Sequence, residues 1–122
     1  MAKILVVDDS NLSRKTSRRI LESIGHQVTD VADGMSALEQ YTLARPDVVL
    51  LDVTMADMNG LEVLQHLRAY DSSARVVMAT ADVQSSTREL ALAGGAVGFV
   101  TKPLNTEVVL SAIASALEGA NQ

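Results

Sequence analysis

Short apolar runs alternate regularly with longer amphipathic stretches along this chain, and that alternation narrows its fold more than any other feature. The runs are Ile4–Val7, Val28–Val31, Val48–Leu51, Val76–Met78 and Gly98–Val100. The first, third and fourth are continuous and rich in Val, Ile and Leu, as expected of strands with both faces covered in a parallel sheet. Between the runs the apolar residues recur at helical spacing. Leu12, Thr16, Ile20 and Ile24 share one predicted helix face, Leu61, Leu64 and Leu67 another, and Val109, Ile113 and Leu117 a third. Asp9 or Ser10 caps the first helix and Gly25 ends it. Asn59 with Glu62 resembles a capping box, and Asn105 caps the last helix with Leu104 and Val109 placed as a staple. The stretch Asp82–Gly94 is the weakest helix, because Ser85-Ser86-Thr87 are poor helix formers. Five strands and five helices in strict alternation predict right-handed βαβ units. The expected fold is α/β: a doubly wound, five-stranded parallel sheet with helices on both faces.

Composition removes several functions. A chain of 122 residues is expected to form one domain, residues 1–122. Ten Lys and Arg against fifteen Asp and Glu give a net charge of -5, which argues against direct nucleic-acid binding through phosphate neutralisation. There is no Cys, so disulfides, thiolate metal sites and cysteine nucleophiles are excluded. The two histidines, His26 and His66, are too few for most imidazole metal sites. No apolar run approaches the ~18 residues of a membrane helix. Met1-Ala2-Lys3 leads directly into a core-like run with no signal-peptide pattern, so the expected location is the cytoplasm.

In an open α/β sheet, ligands bind beyond the carboxyl ends of the strands. The residues that follow each run therefore carry the functional information. Asp8 and Asp9 follow the first, Asp52 the third, Thr80 the fourth, and Thr101, Lys102 and Pro103 the fifth; the second run contributes little. Three carboxylates converging on one edge repel one another unless a cation joins them. Their all-oxygen donors suit a hard ion: Mg2+ fits best, Mn2+ could substitute, and three carboxylates are a small set for Ca2+. Lys102 adds a cation beyond what those carboxylates need, which points to an arriving anion, and phosphoryl is the natural candidate. Asp52 is then the nucleophile that forms an aspartyl phosphate. Mg2+ and Lys102 neutralise its equatorial oxygens, and Thr80 hydrogen-bonds one of them. Each cluster alone has a plainer reading as a turn, a cap or a surface Lys-Pro pair. Their joint placement at four strand ends favours the phosphoryl site.

The same residues resemble the receiver domain of two-component response regulators, and in particular stand-alone receivers of the CheY type with their flavodoxin-like fold. The resemblance covers the whole chain. It rests on Ile4-Leu-Val-Val-Asp-Asp-Ser10, Asp47-Val-Val-Leu-Leu-Asp-Val-Thr-Met-Ala-Asp-Met-Asn-Gly60, Val76-Val-Met-Ala-Thr-Ala81 and Gly98-Phe-Val-Thr-Lys-Pro103, in that order and spacing. It implies that Asp52 accepts a phosphoryl group from a histidine kinase or a histidine phosphotransfer protein. It implies that Asp9, Asp52 and the Thr54 carbonyl ligate Mg2+, with Asp8 acting through water. It implies that Lys102 pairs with Asp52 and then with the phosphate, that Lys102–Pro103 is cis, and that Thr80 and Phe99 form the switch. The downstream target would dock on the last two helices and the fifth strand. Such a protein is not a conventional enzyme; it catalyses its own phosphorylation and dephosphorylation.

Phe99 has no hydroxyl, so packing alone should set its inward or outward preference. The resemblance also implies that Thr54 and Asp82, two residues past Asp52 and Thr80, flank the phosphate position and tune dephosphorylation. Ala56 stands where the family usually has proline, which removes one rigid residue from that loop and, on sequence grounds, no chemistry. Arg14, Lys15, Arg18 and Arg19 make the first helix basic, either as a solvated face or as a kinase-docking face. A phosphorelay intermediate, in a chemotaxis or another pathway, shares these features. A small Mg2+-dependent aspartyl-phosphate phosphatase would need a second Asp where Thr54 stands. A flavodoxin-like electron carrier would have its cofactor phosphate repelled by Asp8 and Asp9. A receiver that never turns over is at odds with the complete set Asp8, Asp9, Asp52, Thr80 and Lys102.

Overall fold

A computed structural model of the chain describes residues 2–81 and 85–119. The order is β1 (Lys3–Val7), α1 (Asn11–Glu22), β2 (Gln27–Val31), α2 (Gly34–Ala44), β3 (Val48–Asp52), α3 (Gly60–Tyr70), β4 (Val76–Thr80), α4 (Ser85–Ala93), β5 (Gly98–Thr101) and α5 (Thr106–Gly119). Asp82 lies outside the described residues.

The strands form one parallel sheet in the order β2-β1-β3-β4-β5. Winding reverses between β1 and β3, so the connections leaving their carboxyl ends run to opposite faces of the sheet and leave a crevice. Side chains alternate across the sheet with period two. Leu5, Val7, Val49, Leu51, Val76 and Met78 face α2, α3 and α4 through Ala37, Tyr41, Leu64, Leu67 and Ala91. Ile4, Val6, Val48, Leu50, Val77 and Ala79 face α1 and α5 through Ile20, Leu21, Val109 and Ile113. Both faces are covered, which is why the β1, β3 and β4 runs carry no polar alternation. β3 and β4 extend past their apolar runs to Asp52 and Thr80, because the ladder continues through the Asp52–Ala79 pair. Backbone pairing ends a strand; side-chain polarity does not.

The predicted face of α1 needs correction. Its buried residues are Ser17, Ile20 and Leu21, whereas Leu12 and Ile24 are exposed. A step of four residues overshoots a full turn by about 40°, so a pure i+4 row drifts off the core face within a few steps. Ile24 also lies beyond the end of the helix. The caps fall mostly as expected. The Ser10 side chain accepts from Ser13 N, that of Asn59 from Leu61 N and that of Asn105 from Val108 N. The chain leaves α4 through Gly95 at φ +99, a left-handed turn that glycine adopts without strain.

At the amino-terminal end of the sheet, Tyr41 Oη donates to Asp71 Oδ2 at 2.8 Å and ties α2 to the end of α3. The Ser73 hydroxyl and the Tyr41 hydroxyl, joined by the Ser73 N–H, hold the Asp71 carboxyl down at about 2. A depressed carboxyl contributes stability above its unfolded value of 3.8 and loses it as pH falls through about 2. Asp71→Asn is therefore expected to lower stability by about 1–2 kcal/mol at pH 7 and by almost nothing at pH 2. Urea melts followed by far-ultraviolet circular dichroism at both pH values check this, and a difference independent of pH would contradict it.

Candidate functional site

The crevice at the carboxyl end of the sheet collects the polar residues. Asp8 leaves β1, Asp52 ends β3 and Thr80 ends β4, and all three are buried, at 4%, 5% and 1% exposure. Asp9, by contrast, is exposed. Asp8, Asp9 and Asp52 each offer a carboxylate oxygen, and these oxygens all lie within 4.8 Å of one another. The strand period places Asp52 on the same side of the sheet as Leu50, facing α1 and α5, where Lys102 arrives from the end of β5. The Lys102 ammonium lies 2.8 Å from Asp8 Oδ2 and 3.4 Å from Asp52 Oδ1. It therefore bridges the two buried acids and sits closer to Asp8, where the sequence pointed to Asp52 alone. Lys102 N also donates to Thr80 O at 2.8 Å, which fastens the β5 end to the β4 end. The Lys102–Pro103 peptide is cis.

Electrostatics follow from burial. Desolvation pushes the Asp52 carboxyl up from 3.8 to about 6; Lys102 opposes this, and the Asp8 charge adds to it. Burial alone would lower the Lys102 ammonium, but its bond to Asp8 and the charges of Asp52 and Asp8 outweigh burial and raise it. The pocket is thus a negative cluster held by one lysine. Its donors are carboxylate oxygens with no sulfur or imidazole among them, and that set fits a hard divalent ion such as Mg2+.

The loop from β3 to α3 closes over the crevice. A Cβ on Gly60 would stand 2.1 Å from Asp52 O and 2.7 Å from Val53 Cα, so only glycine lets the helix start this close to the acid. Gly60 N donates to Val53 O at 2.7 Å across that contact. The Asn59-Gly60 pair carries this in the sequence as well as a cap, since a glycine right after the cap residue permits so close an approach. Ala56 N donates to Asp9 Oδ2 at 3.1 Å. Proline has no N–H to make that bond, so the substitution adds an interaction where the sequence suggested only lost rigidity. Asp57 accepts from Gly34 N at 3.1 Å and pins the loop to the start of α2.

The profile of the response regulator receiver domain matches residues 4–114. The chain belongs to that family. The chemotaxis protein CheY of Listeria monocytogenes is 37% identical over 117 residues, which cover 95% of this chain and 98% of that one. Among solved structures, CheY4 of Vibrio cholerae superposes with a TM-score of 0.91 at 34% identity, over 96% of this chain and 99% of that one. A CheY-like receiver from Methanospirillum hungatei reaches 0.93 at 25% identity, over 99% of this chain and 97% of that one. Receivers are two-component signalling domains and are not conventional enzymes. Among the described residues, no helix is long and apolar enough to cross a membrane.

Thr54, Phe99 and the basic residues of α1, also singled out from the receiver pattern, are among the described residues. Thr54 is exposed, and its backbone N–H favours the charged form of the Asp52 carboxyl. Phe99 is half-buried on β5, and the Arg88 guanidinium from α4 lies 5.8 Å from its ring centroid. Packing of the ring is thus joined by a cation–π contact that the sequence did not reveal. Of the basic residues of α1, Arg14 and Arg18 pair with Asp30 of β2, while Lys15 and Arg19 are exposed.

Two outcomes follow from this geometry. Gly60→Ala is expected to cost about 1–3 kcal/mol, because backbone must yield to the new methyl; urea melts measure it, and a loss under 0.5 kcal/mol would show that the contact relaxes freely. The second outcome concerns pH. A raised carboxyl contributes stability below its unfolded 3.8 and loses it as pH rises through about 6. In a chelator, Asp52→Asn should be more stable than wild type by about 2–3 kcal/mol at pH 7, and the gap should close near pH 4. Added Mg2+ should narrow the pH 7 gap by stabilising wild type.

Proposed function

We propose that this chain is a stand-alone receiver spanning residues 1–122, and that it works as a phosphorylation-controlled switch. The observation that carries the reading is the Lys102 ammonium lodged between Asp8 and the buried Asp52, with Asp9 completing the acidic cluster. Asp52 is the phosphoacceptor. One carboxylate oxygen attacks the phosphorus of a phosphohistidine on a kinase or a histidine phosphotransfer protein. The O–P bond forms, the P–N bond breaks, and the imidazole nitrogen leaves with the electron pair and takes up a proton. Asp9, Asp52 and the Thr54 carbonyl, with Asp8 through water, would hold Mg2+, which supplies charge neutralisation for the phosphoryl oxygens. Lys102 contributes a second positive charge at the same oxygens, and the Thr80 hydroxyl donates to one of them. Thr54, together with Asp82 by its sequence position two residues past Thr80, tunes how water reaches the group, so the chain governs both its own phosphorylation and its own dephosphorylation.

Readout runs through Thr80 and Phe99. A hydroxyl drawn toward the phosphoryl group vacates space into which the Phe99 ring turns. The ring lines a groove of about 430 Å³ with Val97, Val108 and Ala112 between β5 and α5. That groove and α4 form the face on which a downstream protein docks, without direct contact to nucleic acid or membrane, in the cytoplasm. A chemotaxis pathway is the reading supported by the names of the relatives.

Intact mass after incubation with Mg2+ and acetyl phosphate tests the chemistry. Wild type should gain the mass of one phosphoryl group only when Mg2+ is present, and Asp52→Asn should gain none. Lys102→Met should slow the reaction roughly 10²-fold, the usual loss when one stabilising donor is removed from a developing charge. Phosphorylation of Asp52→Asn, or none of wild type with any phosphodonor, would overturn the assignment.

A further inference from the structure

In the sequence Arg14 is one basic residue among the four of the first helix, but its side chain is committed inside the fold. Nη1 donates to the backbone carbonyl of Asp8 at 2.8 Å, Nη2 donates to Asn11 Oδ1, and Nε lies 3.4 Å from Asp30 Oδ1. The carbonyl it grips belongs to the Asp8–Asp9 peptide. That unit is planar, so holding its oxygen sets the direction in which the Asp9 Cα leaves. The other contacts of Asp8 are already made. Its N–H donates to Val31 O, Oδ1 accepts from Ser10 N, and Oδ2 accepts from Lys102 Nζ. Asp9 has only its bond from Ala56 N among the hydrogen bonds described, and its side chain is exposed. Its aim toward Asp52 therefore depends on the backbone beneath it.

We infer that Arg14, anchored by Asp30, is a positioning residue for the cation site: it orients the Asp8–Asp9 peptide so that both carboxylates converge with Asp52. The inference rests on the proposed Mg2+-dependent reading. Asp30 has two tasks in it. It fixes the guanidinium from β2, where it pairs in register with Val6 next to the acid loop. It also balances a positive charge that would otherwise face an arriving cation. Arg18 shares the Asp30 carboxylate at 2.6 Å but reaches no part of the acid loop among the contacts described, so it is the natural control.

The test is isothermal titration of Mg2+ into the full chain, paired with acetyl phosphate kinetics at varied Mg2+. Arg14→Ala should weaken Mg2+ binding roughly tenfold, in line with the loss of a group that orients metal ligands. The Mg2+ concentration for half-maximal phosphorylation should rise by the same factor, while the rate at saturating Mg2+ stays within about twofold. Arg14→Lys, which keeps the charge but cannot span all three acceptors, should fall between wild type and Arg14→Ala. Arg18→Ala should leave Mg2+ affinity within about twofold of wild type, since it contacts no part of the acid loop. Should Arg14→Ala fail to fold, Arg14→Lys and Asp30→Asn decide the question, and both should bind Mg2+ more weakly. Unchanged Mg2+ affinity in folded Arg14 variants would overturn the inference, as would an equal loss in Arg18→Ala. Wild type that binds no Mg2+ overturns the functional reading and this inference with it; wild-type binding that survives in the Arg14 variants overturns the inference alone.

Discussion

The contact between Lys102 and the two buried acids is the interaction on which the rest of the crevice depends. Asp8 and Asp52 are almost fully buried, with Asp9 beside them. Without a cation among them, mutual repulsion and desolvation would favour protonation or an open loop. Lys102 supplies that cation from 94 residues beyond Asp8. The pair can form only when β5 has docked on β4, β4 on β3 and β3 on β1. The local chemistry of the site is thus tied to completion of the whole sheet.

The lysine holds the acids together without neutralising them fully. Three carboxylates against one ammonium leave a negative pocket, and burial keeps Asp52 near the top of the carboxylate range. Such a cluster of oxygen donors could hold a divalent cation. The supports around it are rigid and specific: Gly60 allows α3 to begin against the Asp52 backbone, Asp57 pins the connecting loop to α2, and Arg14 grips the Asp8 carbonyl. These are contacts between strand ends and helix starts.

The opposite flank is built differently. Phe99 is half-buried, and the Arg88 guanidinium lies over its ring. Around it Val97 and Val108 are exposed beside a shallow groove. Ring packing and a cation–π contact at a partly exposed site are worth about 0.5–1 kcal/mol, an amount that a charge change nearby can outweigh. The acid pocket is thus closely cross-linked, whereas the aromatic beside it is held by fewer contacts.

Most of the architecture was legible along the chain. Unbroken Val, Ile and Leu runs require cover on both faces, and their alternation with helical periods leaves a doubly wound parallel sheet as the economical solution. Asp8, Asp9, Asp52, Thr80 and Lys102 were legible for the same reason, since each follows a strand and strand ends meet at one edge. The sequence by itself determined the elements, the sheet and the cast of the crevice, because periodicity and strand-end position are local properties. Tertiary structure alone decided who touches whom. It brought Lys102 closer to Asp8 than to Asp52, turned Leu12 out to solvent, gave Ala56 a bond to Asp9, set Arg88 over Phe99 and sent Arg14 to a backbone carbonyl. Each depends on the distance and angle between segments far apart in the chain, and no pattern within a single segment carries that information.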